Sequence, residues 1–266
     1  MKNRIQKAWV FVLSVVLLIQ FVQLPIFSQS TGYSWYCAHA KDHVQPTASQ
    51  ELQFAEDFGA YYIDHTHQLQ TDADKVIYLT FDAGYENGNV AKILDTLKEE
   101  QVTGAFFVLG HLISAEPQLI MRMVDEGHAV CNHTVRHKDM SRATEEVFLQ
   151  ELSGLEEQFR ALTEKELSRY YRPPEGKFSK ENLIAAQNKG YQTIFWSFAY
   201  PDWDNNRQMS PEKAKKIILE NLHNGEVMLL HPTSAVNAEI LGDVIREAKS
   251  QGYRFGTLDE LTGKTP

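Results

Sequence analysis

Val76-Ile77-Tyr78-Leu79-Thr80-Phe81 is an unbroken apolar run rich in β-favouring residues, and it ends in Asp82-Ala83-Gly84. Val90, Ile93, Leu94 and Leu97 follow at helical spacing within residues 90–100. A buried strand leading into an amphipathic helix is the unit of a parallel α/β sheet. Working outward, the unit recurs. Residues 104–109 and 129–131 read as strands, and 117–125 as a helix closed by Gly127. Phe148, Leu152, Leu155, Phe159 and Leu162 form an apolar stripe along a long helix over 144–162. Tyr170-Tyr171, 192–198, 227–230 and 254–257 are further strands; 179–189 and 237–249 are helices stopped by Gly190 and Gly252. Ser210-Pro211 opens another helix, as an N-cap followed by proline in the first turn. Strand and helix alternate about seven times with no Gly/Ser linker, which predicts one α/β domain. No G-x-G-x-x-G or P-loop follows any strand, so no nucleotide site is expected. The expected architecture is a distorted or partly open β/α barrel over 76–266, preceded by a short N-terminal arm over 31–75.

Composition bounds the rest. The chain has 266 residues, 43% of them hydrophobic, which excludes a disordered or collagen-like chain. Two cysteines, Cys37 and Cys131, cannot make a disulfide scaffold or a four-thiolate zinc site. A formal charge of −9 argues against nucleic acid as a partner. Lys2, Arg4 and Lys7 precede an apolar run from residue 8 to 19, extended past Gln20 to Phe27. That is the layout of a secretory signal over 1–30, too interrupted for the roughly 20 apolar residues of a spanning helix. An uncleaved N-terminal membrane anchor is the alternative. Cleavage is expected after Ser30, with Ala40 as a second site. Loss of three positive charges and no negative one would take the mature charge from −9 to −12. In an oxidising compartment a Cys37–Cys131 bridge is allowed but not required.

In a β/α barrel the active site lies at the C-terminal strand ends, and polar residues gather at those ends here. The first strand runs into Asp82, 129–131 into His133 and His137, and Tyr170-Tyr171 into Arg172. Strand 192–198 leads to Asp202-Trp203, and 227–230 to His231. Each alone has an ordinary reading: surface histidines, a salt-bridging arginine, a turn aspartate, a structural histidine. Together they supply a base, an acid and a candidate metal pair.

These residues resemble the motifs of the NodB-type polysaccharide deacetylases, carbohydrate esterase family 4. The five stand in order: Thr80-Phe81-Asp82-x-Gly84, His133-Thr134-x-x-x-His137, Arg172-x-Pro174-x-Gly176, Asp202-Trp203 and Leu229-x-His231. The stretch Phe81-Asp82-Ala83-Gly84-Tyr85-Glu86-Asn87-Gly88, with Trp35 in the arm, is most similar to the sporulation branch that makes muramic δ-lactam in spore cortex.

The resemblance implies hydrolysis of the N-acetyl group of peptidoglycan muramic acid, with Asp82 as general base and His231 as general acid. Asp202 would orient His231, and Arg172 would hold Asp82 ionised. Trp203 and Leu229 would wall the acetyl pocket, Tyr85 would stack on the sugar or support the backbone, and Arg136 or Arg172 would help capture the acidic strand. The net charge would then give only a modest salt dependence. Metal-dependent relatives place an aspartate after the catalytic one; here Ala83 stands there. His133 and His137 alone would hold one divalent cation, zinc or similar, weakly, or would serve only the substrate or its oxyanion. The implied location is extracytoplasmic, in the cell wall or the forespore intermembrane space. An amidase that strips stem peptides would be the functional partner. Two alternatives remain open: a deacetylase of N-acetylglucosamine in peptidoglycan or chitin oligomers, and a non-catalytic glycan-binding protein on the same fold.

Overall fold

Two short strands come first, β1 (Tyr33–Ser34) and β2 (Ala60–Tyr61), separated by a 3-10 turn over Gln53–Phe58. The computed structural model describes residues 31–67 and 74–264. The expected export segment over 1–30, with its cleavage point after Ser30, lies outside the described residues. Among those residues no helix is long and apolar enough to cross a membrane.

The decisive run becomes β3 (Lys75–Ala83), followed by α1 (Val90–Glu99), β4 (Ala105–Val108), α2 (Gly110–Ala115), α3 (Pro117–Asp125) and β5 (Ala129–Asn132). Next come α4 (Glu145–Thr163), β6 (Tyr170–Tyr171), β7 (Lys177–Phe178), α5 (Lys180–Asn188), β8 (Gln192–Ile194) and β9 (Phe198–Ala199). The chain ends with α6 (Pro211–Asn221), β10 (Glu226–Leu230), α7 (Ala235–Ser250), β11 (Tyr253–Phe255) and α8 (Leu258–Leu261). Thr144, Ser179, Ser210 and Ser234 cap α4, α5, α6 and α7 by accepting a backbone N–H. Each such cap contributes about 1 kcal/mol.

The main sheet runs β2-β8-β6-β5-β4-β3-β10-β9, with β11 beside the start of β3. Every pair in it is parallel. One expectation is corrected. Residues 192–198 are not one strand but two, β8 and β9, because the segment changes partners halfway. β8 pairs with β6 and β2, Phe195 N–H bonds the Tyr61 carbonyl, and Ser197 N–H bonds the Val227 carbonyl. β9 then pairs with β10 at the other edge of the sheet. A single short segment touching both edges requires the sheet to curl, and the fold is a curled parallel half-barrel.

Strand alternation decides what faces where. Ile77, Leu79 and Phe81 pack with Val90, Ile93, Leu94 and Leu97 of α1 in the outer layer. Val76 and Tyr78 point inward, into a cluster with Phe107, Cys131 and Ile194. Thr80 and Asp82 continue that inward row, so the interior turns from apolar to polar toward the C-terminal strand ends.

The segment ahead of β3 is part of this structure. β1 pairs antiparallel with β7, and β2 lies in the main sheet. Trp35 is buried, stacked on Phe195 at 4.2 Å, and donates from Nε1 to the Trp196 carbonyl at 2.9 Å. Cys37 and Cys131 are both buried and unpaired, Cys37 in the Trp35 cluster and Cys131 inside the barrel. Burial pushes the Cys37 thiol up to about 12.

Candidate active site

At the C-terminal strand ends lies a cleft of about 720 Å³, lined by Asp82, His133, His137, Glu175, Trp203 and His231 among others. Asp82 sits next to the last residue of β3, where the interior row reaches solvent. Arg172, one residue after β6, donates from Nη1 to Asp82 Oδ1 at 2.8 Å. Three more of its N–H groups go to Thr80 Oγ1 and to the carbonyls of Ile194 and Phe195, and its guanidinium lies over the Phe107 ring. Burial alone would raise the Asp82 carboxyl. Arg172, followed by His133 and His231, outweighs burial and holds it below the usual carboxylate value. Asp82 is therefore ionised and available as an acceptor.

The opposite wall carries the complementary group. His231 follows β10, and its Nδ1–H donates to Asp202 Oδ1 at 2.7 Å while its backbone N–H donates to Asp202 Oδ2 at 2.8 Å. Burial would lower the imidazole; Asp202, by charge and hydrogen bond, and then Asp82 raise it above the ordinary value. This leaves Nε2 to carry a proton at the cleft. Asp202 is itself fixed by Asn237 of α7, which donates from Nδ2 to Oδ2 at 2.6 Å and to the His231 carbonyl at 3.1 Å. Tyr200 Oη in turn donates to Asn237 Oδ1. Asn237 is a functional residue that sequence reasoning missed; its only signal is a fully buried asparagine in the first turn of a helix.

His133 and His137 meet in the same cleft, with ring centroids 4.9 Å apart. Thr134 and His137 both adopt left-handed backbone, φ 72° and 55°, which turns the second imidazole back toward the first. His133 Nδ1–H donates to the Arg172 carbonyl at 2.8 Å, and Nε2 lies 3.6 Å from Asp82 Oδ2. Burial pushes His133 down to about 4 against the opposing pull of Asp82. Neutral and with Nδ1 carrying the hydrogen, His133 has an Nε2 lone pair. It can accept a hydrogen bond or ligate a cation, but it cannot donate to an oxyanion. Ala83, the third position, is fully buried and offers no donor atom. Among the described residues no three His, Cys, Asp or Glu side chains are grouped to hold a metal ion. Two nitrogens fall short of the three protein ligands usual for catalytic zinc, so the donor set does not fit a resident catalytic metal.

The remaining expected residues divide. Leu229 is buried in the cleft wall, and Trp203, 60% exposed, stands over the mouth with its ring 6.3 Å from that of His231. Tyr85 is outside the lining; its Oη accepts from Asn205 Nδ2 at 3.0 Å on the surface. Neither Arg136 nor Arg172, expected to help capture the acidic strand, is in the cleft lining. Arg136 is ion-paired with Glu151, whose buried carboxylate also accepts the backbone N–H groups of Val135 and Arg136. A carboxylate buried in α4 needs that counter-charge. Arg172 is fully buried, and each of its three guanidinium nitrogens is hydrogen-bonded. Glu175, Trp196 and Leu109 line the cleft without having been singled out in the sequence.

Comparison with known proteins agrees with this geometry. The family model described as polysaccharide deacetylase matches residues 69–194. The peptidoglycan-N-acetylmuramic acid deacetylase PdaA of Bacillus subtilis is 41% identical over 86% of this chain and 85% of its own length. Its structure, a family 4 carbohydrate esterase, superimposes with a TM-score of 0.82 over 87% of this chain and 97% of that one. A family 4 carbohydrate esterase from Bacillus anthracis is 34% identical, with a TM-score of 0.71 over 88% and 98%. With five motifs brought to one cleft and this degree of identity over most of both chains, the chain belongs to the polysaccharide deacetylases, amide hydrolases of carbohydrate esterase family 4.

Proposed function

We propose that the protein removes the N-acetyl group from muramic acid residues of peptidoglycan whose stem peptides are already gone. The observation that carries this is the opposite tuning of Asp82 and His231 in one cleft. The name of the Bacillus subtilis relative supports the choice of sugar. In this reading Asp82 takes a proton from water as the water oxygen attacks the acetamide carbon. His231 then gives its Nε2 proton to the departing amine, and acetate leaves. Arg172 keeps Asp82 charged, Asp202 and Asn237 hold the imidazole, and Leu229 and Trp203 enclose the acetyl group. The freed C2 amine faces the C3 lactyl carboxylate, so closing a six-membered lactam with loss of water is intramolecular and favoured by proximity. A divalent cation such as zinc would find only His133 and His137 as side-chain ligands among the described residues, and no step above depends on it. Export by the segment over 1–30 takes the enzyme to its substrate, and an amidase that removes the peptides acts before it.

Mass analysis of glycan strands tests the substrate. The expected result is loss of one acetyl group per muramic acid on amidase-treated strands and none on chitin oligomers. The reverse pattern supports the N-acetylglucosamine reading instead.

A further inference from the structure

Peptide-free muramic acid carries a carboxylate on its C3 lactyl group, next to the C2 acetamide that must reach Asp82 and His231. The cleft is poorly matched to that charge. Its lining holds two carboxylates, Asp82 and Glu175, and no lysine or arginine among the described residues. Arg172 is fully buried with all three guanidinium nitrogens hydrogen-bonded, and Arg136 pairs with Glu151, away from the lining.

Besides buried Arg172, which bonds Asp82, an accessible cation also touches a lining residue. Lys177 Nζ lies 2.6 Å from Glu175 Oε2, and 3.9 Å from Asp139 Oδ2. The backbone that presents this pair is constrained. Glu175 has φ 55° and Gly176 φ 66°, two successive left-handed residues. A non-glycine residue held there costs about 1–3 kcal/mol and persists only where its surroundings fix it. They do: Trp35 N–H bonds the Gly176 carbonyl at 2.8 Å, and Lys177 opens β7, paired with Ser34 of β1. A Cβ on Gly176 would meet the Trp196 ring at 2.8 Å, so the turn is pressed against a cleft wall. Both charged side chains remain accessible, Glu175 at 55% and Lys177 at 39%.

We propose that Lys177 is the residue that recognises an acidic substituent beside the reacting acetamide, and that Glu175 holds its ammonium until the substrate carboxylate takes that place. The exchange replaces one carboxylate by another at the same cation, so Lys177 is never left unpaired, and Glu175 is released to solvent. A compact ammonium on a flexible stem can make that transfer without moving the backbone. The proposal rests on the muramic acid reading above and adds the charge that the site selects.

Steady-state kinetics on two forms of the same peptide-free strands test it: one with free lactyl carboxylates, one with those carboxylates converted to neutral methylamides. Lys177→Met is expected to raise KM about fivefold on the acidic strands, the scale of an exposed ion pair, with kcat and the neutral strands little changed. Lys177→Arg, which keeps the charge, should retain the wild-type preference, and Glu175→Gln should lower KM on the acidic strands only. No KM change in Lys177→Met, or equal changes on both forms, overturns the charge role and leaves deacetylation standing. A wild-type enzyme that acts on chitin oligomers but on neither muramic form overturns the substrate reading and this proposal together.

Discussion

Each wall of the cleft buries an imidazole beside a carboxylate, yet the two histidines shift in opposite directions. His133, beside Asp82, is pushed down to about 4. His231, beside Asp202, is raised above the ordinary value. Part of the difference is burial, since His133 is 2% exposed and His231 25%. The rest lies in how each carboxylate meets its imidazole. Asp82 pulls His133 upward, but from 3.6 Å with no hydrogen bond between them, and the nearby charges of His137 and Arg172 oppose it. Asp202 is held by the Asn237 amide and the His231 backbone N–H, both neutral donors, so its whole charge acts on the imidazole. Two similar pairs thus yield an unprotonated acceptor on one wall and a protonated donor on the other, the separation that acid–base chemistry requires.

Removing Arg172 breaks the comparison most severely. Arg172→Met leaves Asp82 unpaired in the interior, and denaturant unfolding is expected to show a loss of about 3–5 kcal/mol. The Asp82 carboxyl, now held below its usual value, would rise, so the acid limb of kcat/KM moves to higher pH. Asp202→Asn is gentler and more selective. It withdraws the charge that raises His231, so the imidazole loses its proton at lower pH and the alkaline limb moves down, with kcat reduced about a hundredfold. The acid limb, set by Asp82, should stay in place. Ala83→Asp has the smallest expected effect on the reaction but sharpens the reading of the His133 wall. Ala83 packs in the apolar outer layer and is outside the cleft lining; if a carboxylate at that strand end nevertheless reaches His133 and His137, zinc binding should tighten about tenfold by calorimetry. Unchanged affinity would mean that position 83 does not face the pair.

The residues legible in the sequence were those whose function follows from their place at a strand end. Asp82, His133, Arg172, Asp202 and His231 each stand just past or at the end of an apolar run, and the parallel fold brings those ends together. What was not legible depends on distant partners. The partner of Arg136 is Glu151, buried in α4, and the burial of Arg172 depends on Thr80, Ile194 and Phe195, which no local pattern around either arginine reveals. Asn237 gains its role only because the first turn of α7 packs on Asp202, 35 residues earlier in the chain. The break between β8 and β9 has the same origin: 192–198 has the composition of one strand, and only the curl of the sheet gives its two halves different neighbours.

The central claim is that Asp82 and His231 act as base and acid across one cleft. The most direct test is acetate release from peptide-free glycan strands by wild type, Asp82→Asn and His231→Ala. The account predicts acetate from wild type and a loss of about 10²–10⁴-fold in each variant, with folding intact by circular dichroism. Equal acetate release from all three, or none from wild type, would contradict it.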